Sequence, residues 1–145
     1  MSAVIGIDHG RLRIGLAVGS EETGQAFARP AVQGRSQALA AEQIGALAQA
    51  EGTRRVVLGL PRNMDGSEGP QAAAARAFGK RLGAIGLEVT YVDERLTSWE
   101  AGEQVKASGR APHRASGELD SAAARLILQD YLDARAAQAR QQETR

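Results

Sequence analysis

Three carboxylates stand where strands end or a helix begins. Asp8 closes the apolar run Val4-Ile5-Gly6-Ile7-Asp8-His9-Gly10. A carboxylate in such surroundings must be paired, protonated or bound to a cation, because leaving it buried and alone is costly. Glu94 closes Tyr91-Val92-Asp93-Glu94-Arg95, where period-two alternation puts Asp93 and Glu94 on opposite faces, so only one of them points inward with Asp8. Asp120 opens the last helical stretch, with Ala123, Ile127 and Tyr131 on its face, and in a first turn the helix dipole favours its charge. Meeting at one place, Asp8, Glu94 and Asp120 would form an oxygen-only site for a hard divalent cation, Mg²⁺ or Mn²⁺. Phosphodiester cleavage uses such a site, typically with two ions. Each acid also has a plainer use: Asp8 as a turn cap, Glu94 as a partner for Arg95, Asp120 as an N-cap.

Cations and turn formers lie close by in sequence. Arg13, just past the first turn, and Arg95, beside Glu94, suit a phosphate contact or a surface ion pair. Asn63 begins a loop that reaches Gly69 and leads into a helix N-terminus, where free N–H groups favour an anion; Asn, Asp and Gly also make such turns with no ligand at all. Lys106, Arg110, His113 and Arg114 flank a stretch without an acid between Glu103 and Glu118, which suits a nucleic-acid backbone or plain solvation. Trp99, the sole tryptophan, is placed to stack on a base or to anchor a helix start.

The elements that must carry these residues alternate between strand and helix. Apolar runs predict strands at 3–8, 14–18, 54–60 and 87–92, with a weaker one around 26–32. Leu39, Ile44 and Leu47 predict a helix over 36–52, Pro70 opens another to about residue 84, and Thr97 with Glu100 has capping-box spacing for a third. A loop over 107–117 precedes a long helix from about 118 to 135. The expected organisation is one α/β domain over 1–136, a mixed sheet covered by helices, and a frayed tail over 137–145.

Composition narrows the chemistry. With 145 residues there is room for one core, and 43% hydrophobic against 24% charged residues is the balance of a globular chain rather than a disordered one. No apolar run approaches the roughly 18 residues that cross a bilayer, so a cytoplasmic location and no membrane partner are expected. Cysteine is absent and histidine limited to His9 and His113, which leaves oxygen to hold any metal. The net charge of +1 gives no general electrostatic case for nucleic acid, so the distribution of charge must supply it. Sixteen of the 18 basic residues are arginine, as bidentate phosphate contacts favour and as GC-rich coding also produces.

Gly6-Ile7-Asp8-His9-Gly10 followed by Arg13-Ile14-Gly15-Leu16-Ala17 resembles the opening signature of the YqgF/RuvX family. Its other three blocks are resembled, in the same order, by Gly59 through Pro70 with Asn63-Met64-Asp65-Gly66 at the centre, by Val92-Asp93-Glu94-Arg95-Leu96-Thr97-Ser98, and by Asp120 through Leu132. The resemblance implies an RNase H-like fold, a five-stranded mixed sheet of order 3-2-1-4-5 with strand 2 antiparallel. It also implies that Asp8, Glu94 and Asp120 are the metal-binding catalytic acids of a nuclease. The sequence departs at His9, a variable position, and has fewer lysines before Asp120 than many relatives. Two substrates follow from the family: precursor 16S rRNA, met on ribosomal precursor particles, or a four-way DNA junction, which calls for a homodimer. Two other classes remain: a nucleotide-binding domain of the actin or sugar-kinase kind, suggested by the Asp-x-Gly turn, and a non-catalytic nucleic-acid-binding protein.

Overall fold

The computed structural model describes residues 3–93 and 118–143, with side chains over 121–142 in the second stretch. Strands β1 (Ala3–Asp8), β2 (Arg13–Ser20) and β3 (Gln25–Gln33) form an antiparallel meander. Helix α1 (Gln37–Ala50) then crosses to β4 (Arg55–Leu60), and α2 (Pro70–Ala84) crosses to β5 (Glu88–Asp93). The last described element is α3 (Glu118–Glu143). β4 pairs parallel to β1 and β5 parallel to β4, so the sheet order is β3-β2-β1-β4-β5, as the family resemblance implies.

Alternation divides the sheet into two packed faces. Ile5 and Ile7 of β1, Ile14 and Leu16 of β2, and Val56 and Leu58 of β4 pack against α1 and α2. Val4, Ala17, Ala26 and Val57 pack against Ala124, Ile127, Leu128 and Leu132 of α3. The sheet is thus the middle of three layers.

Local chemistry explains the element starts. Ser36 caps α1 by accepting a hydrogen bond from the Leu39 N–H at 3.2 Å, and Pro70 stands at the first position of α2, where no N–H is needed. The third strand is longer than its sequence pattern, at the sheet's edge, and Pro30 falls in the interruption of the ladder between the Leu16–Arg29 and Ile14–Val32 pairs, where a proline is tolerated. The buried stripe of α1 is Ala40, Ala41, Ile44 and Ala48, while Leu39, expected to face inward, is 51% exposed. Ala40, Ala41 and Ala48 flank Ile44 in the cluster that holds Ile5, Ile14 and Leu58, so short side chains carry much of this contact. α3 continues past the expected end near residue 135 to Glu143, because residues 136–142 contain neither Gly nor Pro and are mostly strong helix formers. The helix expected from Thr97 and the loop at 107–117 lie outside the described residues.

Among the described residues no helix is long and apolar enough to cross a membrane.

Candidate active site at the ends of the parallel strands

The same alternation that buries Ile5 and Ile7 beneath α1 and α2 puts Val4, Gly6 and Asp8 on the α3 face. Asp8 is half-buried at the end of β1, opposite Gly15 of β2. Gly6 is where α3 meets the strand: a Cβ there would lie 2.7 Å from Leu128 Cβ and 2.9 Å from the Ala124 carbonyl oxygen. Gly19, one strand over and opposite Val4, meets Leu132 and Leu128 at 3.0 and 3.1 Å by the same measure. Helix residue numbers therefore fall as β1 residue numbers rise, and the two elements run antiparallel.

That direction sets the register of the acids. From Gly6 to Asp8 the strand advances about 6.6 Å, and from Ala124 back to Asp120 the helix advances about 6 Å. The backbone of Asp120, in the first turn of α3, is therefore level with Asp8 on the same face of the sheet. Two side-chain anchors hold this helix in place. Ser121, 4% exposed, donates from Oγ to the Arg29 carbonyl at 2.7 Å, and Gln129 accepts from the Ala26 N–H at 3.0 Å while donating to the Gly24 carbonyl at 2.7 Å.

Glu94 and the Asp120 side chain lie outside the described residues. Its neighbour Asp93 ends β5 exposed, in step with Tyr91, which packs with the α1–α2 layer, whereas Val92 packs with the α3 layer. Asp93 is thus the acid of that pair turned away from Asp8's face. Among the described residues no three His, Cys, Asp or Glu side chains group around a cation position; of the expected triad only the Asp8 side chain is described. Asp8 brings a carboxylate to this end, and His9 belongs to the other face: its ring lies 5.0 Å from that of Phe78, and its Nε2 is 2.6 Å from Gln37 Oε1. Oxygen donors fit a hard divalent ion.

The expected phosphate contacts separate. Arg13 starts β2 at the same end of the sheet and, by alternation with Gly15 and Ala17, on Asp8's face; it makes no ion pair among the described residues. Asn63 sits in a loop closed on itself. Its N–H donates to the Ser67 carbonyl at 2.8 Å, its Nδ2 to Ser67 Oγ at 3.0 Å, and Asp65 Oδ1 accepts from the Ser67 N–H at 2.9 Å. The turn-forming use of Asn63 is therefore present. Glu68 closes the loop's far side through a two-pronged pair with Arg76, both contacts 2.7 Å, and a looser one with Arg62 at 3.7 Å. The Arg76 hydrogen bonds hold the Glu68 carboxyl below its ordinary value, against a smaller upward pull from desolvation and with help from the Arg76 and Arg62 charges. Arg95, Lys106, Arg110, His113 and Arg114 lie outside the described residues.

Between this loop and the β1–β2 turn runs a cleft of ≈ 710 Å³, lined by His9, Arg11, Arg62, Asn63 and the uncapped start of α2 at Gly69 and Pro70. Arg11 was given no role by the sequence. Its signal was weak: one arginine after the turn glycine Gly10, in a chain where arginine is common.

The family model for RuvX, described as Holliday junction resolvase, matches residues 2–134. A protein of Anaeromyxobacter sp. (strain K) named "Putative pre-16S rRNA nuclease" is 44% identical over 133 residues, covering 91% of this chain and 97% of that protein. A protein of the same name from Synechococcus elongatus is 46% identical over 138 residues, covering 90% and 89%. Among solved structures, T. thermophilus RuvC in complex with Holliday junction substrate superposes with a TM-score of 0.56 over 94% of this chain and 97% of that one, at 16% identity. At that identity the likeness is one of fold, and with the sheet order it makes the architecture RNase H-like.

Proposed function

The chain belongs to the RuvX family, and on that premise we propose that it is a metal-dependent endonuclease of structured nucleic acid that processes the 5′ end of precursor 16S rRNA. The observation that carries the reading is the register of α3 on β1. Gly6 admits the helix so closely that the first turn, with Asp120, comes level with Asp8 on one face of the sheet.

We assign Asp8, Glu94 and Asp120 as the ligands of Mg²⁺ or Mn²⁺, bound as a pair of ions. Asp93 faces the other side, which supports Glu94 as the third acid. Such ions, when bound, lower the pKa of water and neutralise charge developing on the phosphate. The chain's own residues do the rest. Asp8 and Asp120 supply anionic oxygens from two rigid elements, so little reorganisation is needed at the moment of reaction. Arg13 holds a phosphate on Asp8's face, since it makes no ion pair among the described residues. Arg95, Lys106, Arg110, His113 and Arg114 extend the backbone contact, and Asn63 lines the cleft beside it.

RNA is preferred as substrate because relatives 44% and 46% identical over about nine-tenths of this chain carry the rRNA nuclease name. Ribosomal precursor particles are then the partner and the cytoplasm the setting. The second reading, a Holliday junction resolvase, is favoured by the family description and by the fold shared with a junction-bound RuvC. It requires a homodimer, since paired cuts need two sites. A non-catalytic nucleic-acid-binding protein is the outcome if the acids do not act.

The deciding experiment presents purified protein with an RNA spanning the 5′ end of 16S rRNA and with a four-way DNA junction, in Mg²⁺, in Mn²⁺ and in EDTA. Metal-dependent RNA cleavage lost in Asp8→Asn is expected. Junction cleavage alone would transfer the function to the resolvase reading, and binding without cleavage of either would leave a non-catalytic protein.

A further inference from the structure

Six arginines, Arg29, Arg54, Arg55, Arg62, Arg76 and Arg135, each stand within ion-pair distance of a glutamate. Arg11, Arg35 and Arg81 do not pair with any acid among the described residues. These three line one pocket of ≈ 350 Å³ between α1 and α2, whose walls hold no acid. His9 and Arg11 line both this pocket and the cleft at the strand ends, so the two hollows form one groove.

The groove is built on rigid backbone. The Gly34 N–H donates to the Leu12 carbonyl at 2.9 Å, and a Cβ at Gly34 would lie 2.6 Å from the Gly10 carbonyl oxygen and 2.8 Å from that of Arg11. The turn bearing Arg11 and the residue before Arg35 are therefore pressed together too tightly for any side chain but hydrogen. Beneath them, the Gln37 Nε2 donates to the Gly34 carbonyl, which turns Gln37 Oε1 toward the ring nitrogen of His9. His9 in turn rests on Phe78. Guanidinium groups presented from fixed stems lose less freedom on binding an anion.

Resting on the nuclease reading above, we infer that this groove carries the phosphodiester backbone of the substrate strand away from the active site. Its phosphates contact Arg11, Arg35 and Arg81. The acids lie on the α3 face and the three arginines on the α1–α2 side, so the strand crosses the ends of β1 and β4 and is cut where it passes Asp8. Separate charge with no acid nearby fits a polyanion of regular repeat better than a single small anion, which one guanidinium pair would satisfy.

The test uses the full chain carrying Asp8→Asn, so that binding is read without cleavage, and a labelled RNA spanning the 5′ end of 16S rRNA. Adding Arg11→Gln, Arg35→Gln and Arg81→Gln should weaken binding by about tenfold or more and reduce the slope of log K against log salt by about two. Lys80→Gln removes an exposed charge from α2 outside the groove and should change little. Ala77→Glu, at an exposed groove position on α2, places an acid in the groove without removing an arginine and should weaken binding likewise. A triple variant that melts with its parent and keeps the parental affinity and slope overturns the proposal. Should the triple variant melt early, parental binding by Ala77→Glu overturns it instead. Poly-L-glutamate is the second probe: tight binding of it, lost in the triple variant with RNA binding unchanged, would assign the groove to an acidic polypeptide. If the parent itself neither binds nor, with Asp8 restored, cuts the RNA, the RNA nuclease reading fails and the groove's role goes with it; RNA bound and cut normally by a chain with a neutralised groove sinks the groove alone.

Discussion

In the proposed site Asp8 sits where function and stability pull in opposite directions. It shares a sheet face and a level with the backbone of Asp120, and carboxylates that meet there as proposed repel unless a cation lies between them. Saturating Mg²⁺ should therefore raise the melting temperature of the wild-type chain, since a ligand bound only by the folded state stabilises it by mass action. Asp8→Asn should melt no lower than wild type in EDTA, show little response to Mg²⁺, and cleave more than about a hundredfold more slowly, exceeding the effect of disturbing a ligand's outer partner. A variant that melts well below wild type in EDTA would instead make Asp8 a structural residue. At Glu68 the direction of titration is set by its neighbours. Its carboxyl is depressed from an ordinary 4.5, first by the Arg76 hydrogen bonds. A lowered folded value means that the loop closure it supports is fully present above the ordinary value and is lost as pH falls through the depressed one. Arg76→Ala should move the Glu68 midpoint up toward 4.5, read from its carboxyl carbon by NMR, and the Asn63–Ser67 turn should open at correspondingly higher pH. An unmoved midpoint would remove Arg76 as the cause.

At the scale of elements, the position of the α3 first turn depends on a missing side chain. Gly6→Ala would put a Cβ within 2.9 Å of backbone and within 2.7 Å of Leu128 Cβ, neither of which is a flexible tip. The helix must move, at a cost of about 1–3 kcal/mol, and the melting temperature and cleavage rate should fall together. Ser121→Ala tests the same placement from the helix side. It leaves the Arg29 carbonyl without its 2.7 Å donor and should cost about 1 kcal/mol with a fall in cleavage rate, while substrate affinity, carried by the arginines, changes little. Equal losses in rate and affinity would mean that Ser121 does not position Asp120. The elements themselves were legible in the sequence, because 4–7 and 56–60 carry no polar side chain and are buried throughout, and Pro70 marks its own helix start. What was not legible was how closely they approach. Leu39 carries the hydrophobicity expected of the buried stripe of α1, yet Ala40, Ala41 and Ala48 occupy it, since the volume left under a helix is fixed by the layers around it.

For the whole molecule, the candidate site was readable to the extent that its residues end strands. Asp8 stood out because a carboxylate closes an apolar run, whereas only the family resemblance favoured Glu94 over Asp93; the sheet adds that Tyr91 and Val92 turn to opposite layers, which puts Asp93 away from Asp8. The basic groove was not readable, because Arg11, Arg35 and Arg81 come together only through the Gly10–Gly34 backbone contact and the packing of α2, and no local spacing encodes that. One chain brings one Asp8 site, and this separates the two substrates by stoichiometry. Trimming an RNA end needs one cut, so the rate per protomer on RNA should stay constant as protein concentration rises through any range in which sedimentation velocity finds monomer. Resolving a junction needs two cuts on opposed strands, so its rate should climb with the square of concentration until a dimer is saturated. Measured side by side on one preparation, a flat RNA rate with junction cleavage absent supports the ribosomal reading. A quadratic rise on the junction, in step with dimer formation and with RNA left intact, would overturn it.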